Sequence, residues 1–341
     1  MTNQRHVWRL RARPEGTIKD SDLDYMAEPM PAMGDGQALV EVNYLSLDPT
    51  NRIWMSDMDQ YMPPVELGDM MRGVIAGTVT RSNNPDLPIG TMVSGLGGFA
   101  SHVVVDPGMV NAVPQVPGIP FADLFGSLGS TAVTAYFGLL DICDPKPGET
   151  LVVSGAAGAV GSIVGQIGKI KGCHVVGIAG GADKCRWVVD ELGFDACIDY
   201  KSEDVGARLD ALCPNGIDMN FENVGGDIMD AVMMRMNNHG RMSLCGMIST
   251  YNDTTPRGGP AAWPAILMHR LKVQGFIITD YAPRFGEAIA ALAGWWMGGQ
   301  IKTKVDLRHG LENAIITLRD LYSGGNFGKL LLEVKAPDGQ A

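Results

Sequence analysis

Ser154-Gly155-Ala156-Ala157-Gly158-Ala159-Val160-Gly161 is the stretch that decides the fold. An apolar strand pattern, Thr150-Leu151-Val152-Val153, runs into it, and beyond it Val160, Ile163, Val164, Ile167 and Ile170 recur at helical spacing. A strand that turns through glycines into a helix gathers the unbonded N–H groups of the first helical turn at one point, where the helix dipole adds positive potential. Such a point holds a pyrophosphate. Gly158 would let the backbone approach it, and Gly161 would let helix and strand pack closely. The first glycine of the usual GxGxxG is Ala156 here, so the motif alone is weak, and a glycine-rich turn with no ligand is the competing reading.

The surrounding pattern favours a dinucleotide. The spacing predicts strands at 174–178, 196–199, 217–221, 242–245 and 273–278, and helices at 184–192, 205–212, 228–236 and 285–297. Strands and helices alternating in this way form a parallel, doubly wound sheet. A buried helix is expected over 128–140, and a helix at 311–321 and a strand at 329–334 follow the last of the series. From Val7 to about Val116 the pattern is instead short-stranded, as in Ala38-Leu39-Val40-Glu41-Val42, with Pro and Gly between the runs. A small, strongly twisted or barrel-like β domain fits it.

With 341 residues the chain is too long for one core and suits two domains. A net charge of −11 argues against nucleic-acid or anionic-membrane partners. No run of about 18 apolar residues predicts a membrane span. Arg5, Arg9, Arg11 and Arg13 make the start basic, but no apolar signal core follows, and Val7, Trp8 and Leu10 read as an opening strand. The six cysteines form no CxxC pair, so free thiols in a reducing cytoplasm are expected. Residues 1–142 hold no cysteine and only His6 and His102, so no zinc site is expected there, and both His102 and His174 read as structural.

The second strand ends in Ile178-Ala179-Gly180-Gly181, with no carboxylate to bind a ribose 2′-hydroxyl. Small residues leave room for a 2′-phosphate, and Lys184 follows to neutralise it, which points to NADPH rather than NADH. Asp183 complicates this reading; its other role is in the first turn of the helix, where a carboxylate is favoured.

Several further motifs carry a resemblance: Tyr44-Leu45-Ser46-Leu47-Asp48-Pro49, Thr134-Ala135-Tyr136-Phe137-Gly138-Leu139-Leu140, Glu222-Asn223-Val224-Gly225-Gly226, Cys245-Gly246-Met247-Ile248-Ser249-Thr250-Tyr251-Asn252 and Asn326-Phe327-Gly328-Lys329. With the glycine stretch they resemble the zinc-independent medium-chain dehydrogenase/reductase superfamily, in its leukotriene B4 dehydrogenase/prostaglandin reductase and curcumin/alkenal double-bond reductase branch. The resemblance runs nearly end to end. It implies an α/β chain with a GroES-like β-rich catalytic domain at 1–127, a doubly wound Rossmann domain at 128–300 and a return to the catalytic domain at 301–341. It also implies NADPH as cofactor, a small apolar enone or enal as substrate, and a homodimer.

By residue matching, the resemblance assigns cofactor contacts to Ala156, Ala157, Gly158, Ala159, Val160, Gly161, Lys184, Tyr200, Asn223, Cys245, Gly246, Ile248, Ser249, Tyr251, Phe276, Ile277, Ile278 and Asn326. Two segments depart from the family: Thr50 stands where a tyrosine usually follows Asp-Pro, and Ser130-Thr131-Ala132 where Met-Pro-Gly is usual. With Tyr44 and Tyr61, Thr50 is a candidate for the substrate pocket. Met55, Met58, Met62, Met70 and Met71, near Trp54, would serve either an apolar pocket or the core.

Enone reduction places negative charge on the carbonyl oxygen, and a phenol can stabilise it. Tyr251 is the candidate catalytic donor, with a loop tyrosine packed on the cofactor as the alternative. Asn223 would reach the nicotinamide ribose or the phosphate region, or serve only as a turn residue. Tyr200 would stack on adenine or close a strand end, and Lys329 would cover the cofactor or simply begin the last strand. The competing functions are a quinone reductase of the same superfamily and a non-catalytic NADPH-binding protein.

Overall fold

The computed structural model describes residues 4–116, 118–255 and 258–335. In chain order they form β1 (Gln4–Leu10), β2 (Leu23–Pro29), β3 (Ala38–Ser46), α1 (Thr50–Trp54), β4 (Arg72–Ser82), β5 (Met92–Gly98), β6 (His102–Val105), β7 (Val110–Ala112), α2 (Phe121–Leu128) and α3 (Ser130–Phe137). The alternating region follows: β8 (Thr150–Ser154), α4 (Gly161–Ile170), β9 (His174–Ala179), α5 (Ala182–Asp190), β10 (Ala196–Asp199), α6 (Val205–Leu212), β11 (Ile217–Glu222), α7 (Gly226–Met233), β12 (Met236–Leu244), α8 (Trp263–Met268), β13 (Lys272–Gly275) and α9 (Phe285–Met297). The chain closes with β14 (Val305–His309), α10 (Ala314–Ser323) and β15 (Lys329–Glu333). Two compact units result. One holds the described residues through Phe125, Val305–Asn326 and those from Leu330 onward; the other holds Gly126–Lys304 and Phe327–Lys329.

The first unit is built on a sheet in the order β14-β15-β3-β4-β5-β7, with β6 also on β3, and on the antiparallel pair β1 and β2. β3 carries Val40, Val42 and Leu45 into a core with Val7, Leu10, Ile75 and Phe99. Met55 and Met71 are fully buried in that core and Trp54 is nearly so, whereas Met58 is exposed. The methionine cluster is therefore divided between core filling and surface.

The second unit is a sheet in the order β10-β9-β8-β11-β12-β13, parallel throughout. Leu151 and Val153 of β8 pack on one face with α4 residues such as Ile163 and Ile167, while Val152 packs on the other with Leu209, Val232 and Met242. Successive side chains of a strand point to opposite faces, so a strand covered on both sides reads as a continuous apolar run. Chain order reverses between β8 and β11, and ligands bind at such a point in doubly wound sheets.

Three readings shift. β12 begins at Met236, because Met236, Gly240 and Met242 alternate inward as strand residues. The helix expected over 128–140 is α3 followed by a wider π turn, Gly138–Cys143, in which Gly138 lies against the rings of Phe221 and Phe276. The strand expected to reach Ile278 stops at Gly275, because Phe276 packs edge-on against Phe221 and Tyr281 and leaves the strand line.

Candidate dinucleotide site at the strand ends

At the end of β8 the chain turns through Gly155, whose φ of +61° favours glycine. Gly158 N–H closes the turn onto Gly155 O at 2.9 Å. A Cβ on Gly161 would lie 2.4 Å from Gly155 O, so glycine is obligatory there. No side chain caps the start of α4; Ser162 N and Val164 N bond back to the carbonyls of Gly158 and Val160. The missing first glycine also finds its explanation. The methyl of Ala156 would stand 2.8 Å from a Cβ on Gly177, so glycine in the neighbouring strand β9 makes the room that the motif lacks.

The end of β9 is shaped by Asp199 of β10. Its carboxylate accepts from Gly181 N at 2.7 Å, from Ser202 Oγ at 2.8 Å and from Lys201 N at 3.1 Å. The Gly181 N–H foremost, with Ser202 and Lys201, holds this carboxyl below its ordinary range. Asp199 thus fixes the loop that opens α5, with its oxygens engaged by the protein's own donors. Asp183 is 88% exposed at its side chain and pairs with Arg186 at 3.1 Å, a surface contact within the helix. Lys184 stands in the same first turn. Tyr200 lies with its ring against Gly180, where an added Cβ would sit 2.8 Å from the ring.

The remaining candidates form one hydrogen-bonded assembly. Asn223 donates its N–H to Ser154 Oγ at 2.8 Å and its side-chain Nδ2 to Ser154 O at 2.7 Å. The loop after β12 hangs on the same turn: Cys245 N and Gly246 N donate to Glu222 O, Ile248 N to Asn223 O, and Ser249 N to Val224 O. Tyr251 ends the short 3-10 turn Ile248–Thr250, and its phenol oxygen accepts from Met247 N at 3.1 Å. Burial, with Glu222 nearby, pushes the Cys245 thiol up to about 12. Phe276 packs below, against Phe221; Ile277 and Ile278 follow it, Ile278 opening a 3-10 segment, Ile278–Arg284.

A late segment joins this assembly. Gly328 N donates to Ala157 O at 3.0 Å, and Lys329 N to Lys304 O at 2.8 Å. Lys329 is buried at the start of β15. Asn326 immediately precedes this segment. Sequence reasoning missed Glu222 as an organiser; its signal was a carboxylate at the end of an apolar strand, just before Asn-Val-Gly-Gly.

Within the first unit, Thr50 and Tyr61 come together through their hydroxyls, and Trp54 Nε1 donates to Tyr61 OH at 3.0 Å. Tyr44 is apart from them, buried in β3 and edge-on to Phe121 at 6.0 Å. Among the described residues no group of three or more His, Cys, Asp or Glu could hold a metal ion, and no helix is long and apolar enough to cross a membrane.

Two family descriptions match the chain. Residues 6–113 match the N-terminal domain of oxidoreductase, and residues 159–294 match zinc-binding dehydrogenase. The NADPH-dependent curcumin reductase of Escherichia coli (strain K12) is 41% identical over 336 residues, 97% of this chain and 97% of that protein. The NADP(+)-dependent 2-alkenal reductase of Nicotiana tabacum is 35% identical over 303 residues, 88% of each. The crystal structure of CurA in complex with NADPH from Vibrio vulnificus superposes with a TM-score of 0.92 at 41% identity, covering 97% of this chain and 100% of that one.

Proposed function

Since the chain belongs to the medium-chain dehydrogenase/reductase family of oxidoreductases, we propose that it reduces the carbon–carbon double bond of α,β-unsaturated aldehydes and ketones with NADPH. The observation that carries this reading is the hydrogen-bonded convergence of the β8 turn, Asn223 and the Tyr251 loop at the β8–β11 reversal. The E. coli and tobacco relatives are an NADPH-dependent curcumin reductase and a 2-alkenal reductase, and the Vibrio neighbour was crystallised with NADPH.

The residues fit the cofactor. The backbone from Ala156 to Gly161, with its uncapped helix start, would hold the pyrophosphate. Lys184, Tyr200 and the small residues 179–181 would take the 2′-phosphate and adenosine, and Asn223 with the 245–251 loop would take the nicotinamide end. When bound, NADPH supplies a hydride, which goes to the substrate's β-carbon. The work of the chain's own groups is then positional and electrostatic. Tyr251 donates a hydrogen bond to the carbonyl oxygen, where charge collects as the enolate forms, and the α-carbon then takes a proton from water, leaving hydroxide that the buffer neutralises. Thr50 and Tyr61 tune substrate choice, Thr50 marking a departure from the family pattern at that point, whereas Tyr44 packs in the core on Phe121.

The proposed assembly is a homodimer in the cytoplasm. β13 is a sheet edge with exposed residues, and Trp263, Leu267 and Met268 of the neighbouring α8 are exposed apolar side chains. An open edge beside an apolar patch favours pairing with a second copy. A monomeric mass by light scattering would refute that part. The six free thiols suit a reducing compartment.

The decisive assay follows NADPH oxidation across alkenals, cyclic enones, aromatic enones and quinones. Turnover of enals or enones well above quinones is expected. Turnover of quinones alone would replace this reading with a quinone reductase, and binding of NADPH without any turnover would replace it with a non-catalytic binder.

A further inference from the structure

Glu222 is fully buried at the end of β11, and no arginine, lysine or histidine among the described residues pairs with it. Removing a carboxylate from water without a counter-cation is costly unless its oxygens are fully hydrogen-bonded. Here they are. Oε1 accepts from Ser154 Oγ, Val224 N and Gly225 N, each at 2.7 Å, and Oε2 accepts from Asn220 Nδ2 at 3.0 Å. Two successive backbone N–H groups converging on one oxygen form a nest of the kind that binds anions; the protein fills this one with its own side chain.

The connections run outward from that oxygen. Ser154 Oγ, which donates to Glu222, accepts from Asn223 N. The backbone carbonyls of Glu222, Asn223 and Val224 then carry the 245–251 loop. The side chain of Glu222 therefore sets the turn from which both Asn223 and Tyr251 are suspended. We propose that Glu222 is a positioning residue that holds Tyr251 in place for enone reduction, acting through acceptor geometry rather than through its charge. This rests on the double-bond reductase reading.

Glutamine tests the geometric claim. Its Oε1 keeps the three donors of Ser154, Val224 and Gly225. Its Nε2 replaces Oε2, and the Asn220 amide can turn over so that Asn220 Oδ1, buried without a partner, accepts from it. Methionine matches the length but offers only one weak thioether acceptor, so the four donors lose the two carboxylate oxygens that gather them. Should Glu222→Met fail to fold, Ser154→Ala removes one donor and loosens Asn223 with a smaller lesion.

Steady-state kinetics with an aromatic enone and NADPH, on variants checked by thermal melting, decide the matter. Glu222→Gln is expected to keep kcat within about threefold of the parent, while Glu222→Met or Ser154→Ala lowers kcat about tenfold and raises KM for NADPH by a smaller factor, since the proposed phosphate contacts of the Ala156–Gly161 backbone and Lys184 are untouched. Combined with Tyr251→Phe, the Glu222→Met or Ser154→Ala loss should largely vanish, because residues acting as a unit are non-additive. Additive losses, unchanged kcat in Glu222→Met and Ser154→Ala, or a folded Glu222→Gln as impaired as Glu222→Met would each overturn the proposal. If Tyr251→Phe alone leaves turnover unchanged, the donor assignment itself fails and this proposal with it, an outcome distinct from failure at Glu222 alone.

Discussion

Gly328 donates its backbone N–H to the carbonyl of Ala157 at 3.0 Å, and it pairs in parallel with Gly158 beside it. A segment just before the last strand thereby braces the turn that reads as the phosphate-binding loop. Gly328 sits at φ +74°, and a Cβ there would lie 2.2 Å from Lys304 O. Alanine is expected to add about 1–2 kcal/mol of backbone strain and to shift the brace off Ala157. NADPH affinity, measured by fluorescence titration, should fall about tenfold, which corresponds to 1.4 kcal/mol. An unchanged titration curve would mean that the brace does not shape the loop.

Tyr251→Phe removes the phenolic hydroxyl and leaves the ring. Loss of one hydrogen-bond donor to a developing oxyanion typically costs about a hundredfold in kcat. NADPH affinity should stay within about twofold, since backbone groups and Lys184 make the main proposed phosphate contacts. Stopped-flow hydride transfer and equilibrium titration separate the two. Turnover equal to the parent would remove Tyr251 from the mechanism.

Lys184→Ala is expected to separate the two nicotinamide cofactors. A charge-assisted contact to a phosphate contributes about 1.5–3 kcal/mol, so Kd for NADPH should rise about tenfold or more while that for NADH barely moves. Equal weakening of both would show that Lys184 serves the helix rather than the 2′-phosphate.

Stability should fall at both ends of the pH scale. Burial first of all pushes the thiols of Cys143 and Cys245 up to about 12 and those of Cys173 and Cys213 up to about 11. Unfolded cysteines ionise near about 8.5. Above that pH the unfolded chain binds fewer protons than the folded one, so stability declines as pH rises from about 9.

On the acid side, burial lowers the pKa of His102 despite Glu41, so the unfolded chain protonates first as pH falls through about 6.5, and stability begins to drop there. Burial opposes ionisation of Glu28 and Glu149, but Arg9 and Arg5 outweigh it at the first, and Arg241 and Lys146 at the second, holding both carboxyls low. That stabilisation is present above the ordinary carboxylate range and is lost as pH falls through the lowered values. Melting temperature should therefore be highest between about pH 6.5 and 8.5; a maximum outside that window would contradict the assignment.

The β8 turn shows how far the sequence could be read. Thr150 to Gly161 announces a strand, a glycine turn and a helix, because an apolar run and a helical period are local properties of the chain. Phe276 shows the limit: the apolar pattern continues past Gly275, but the ring finds Phe221 and Tyr281, and the strand ends. Met236 fits a helical period for a similar reason, since a short apolar run fits both periods until its neighbours are known.

The residues alone determined the parallel sheet and the glycine turn proposed to hold a phosphate, since both follow from short-range patterns of apolar side chains and glycines. Only the tertiary structure decided that Gly177 makes room for Ala156, that Glu222 gathers Ser154 with the Asn223 turn, and that Gly328 returns to Ala157. Each of these joins groups far apart along the chain. Which partner a buried acceptor or a crowded methyl meets is set by strand order and packing, and no local periodicity records it.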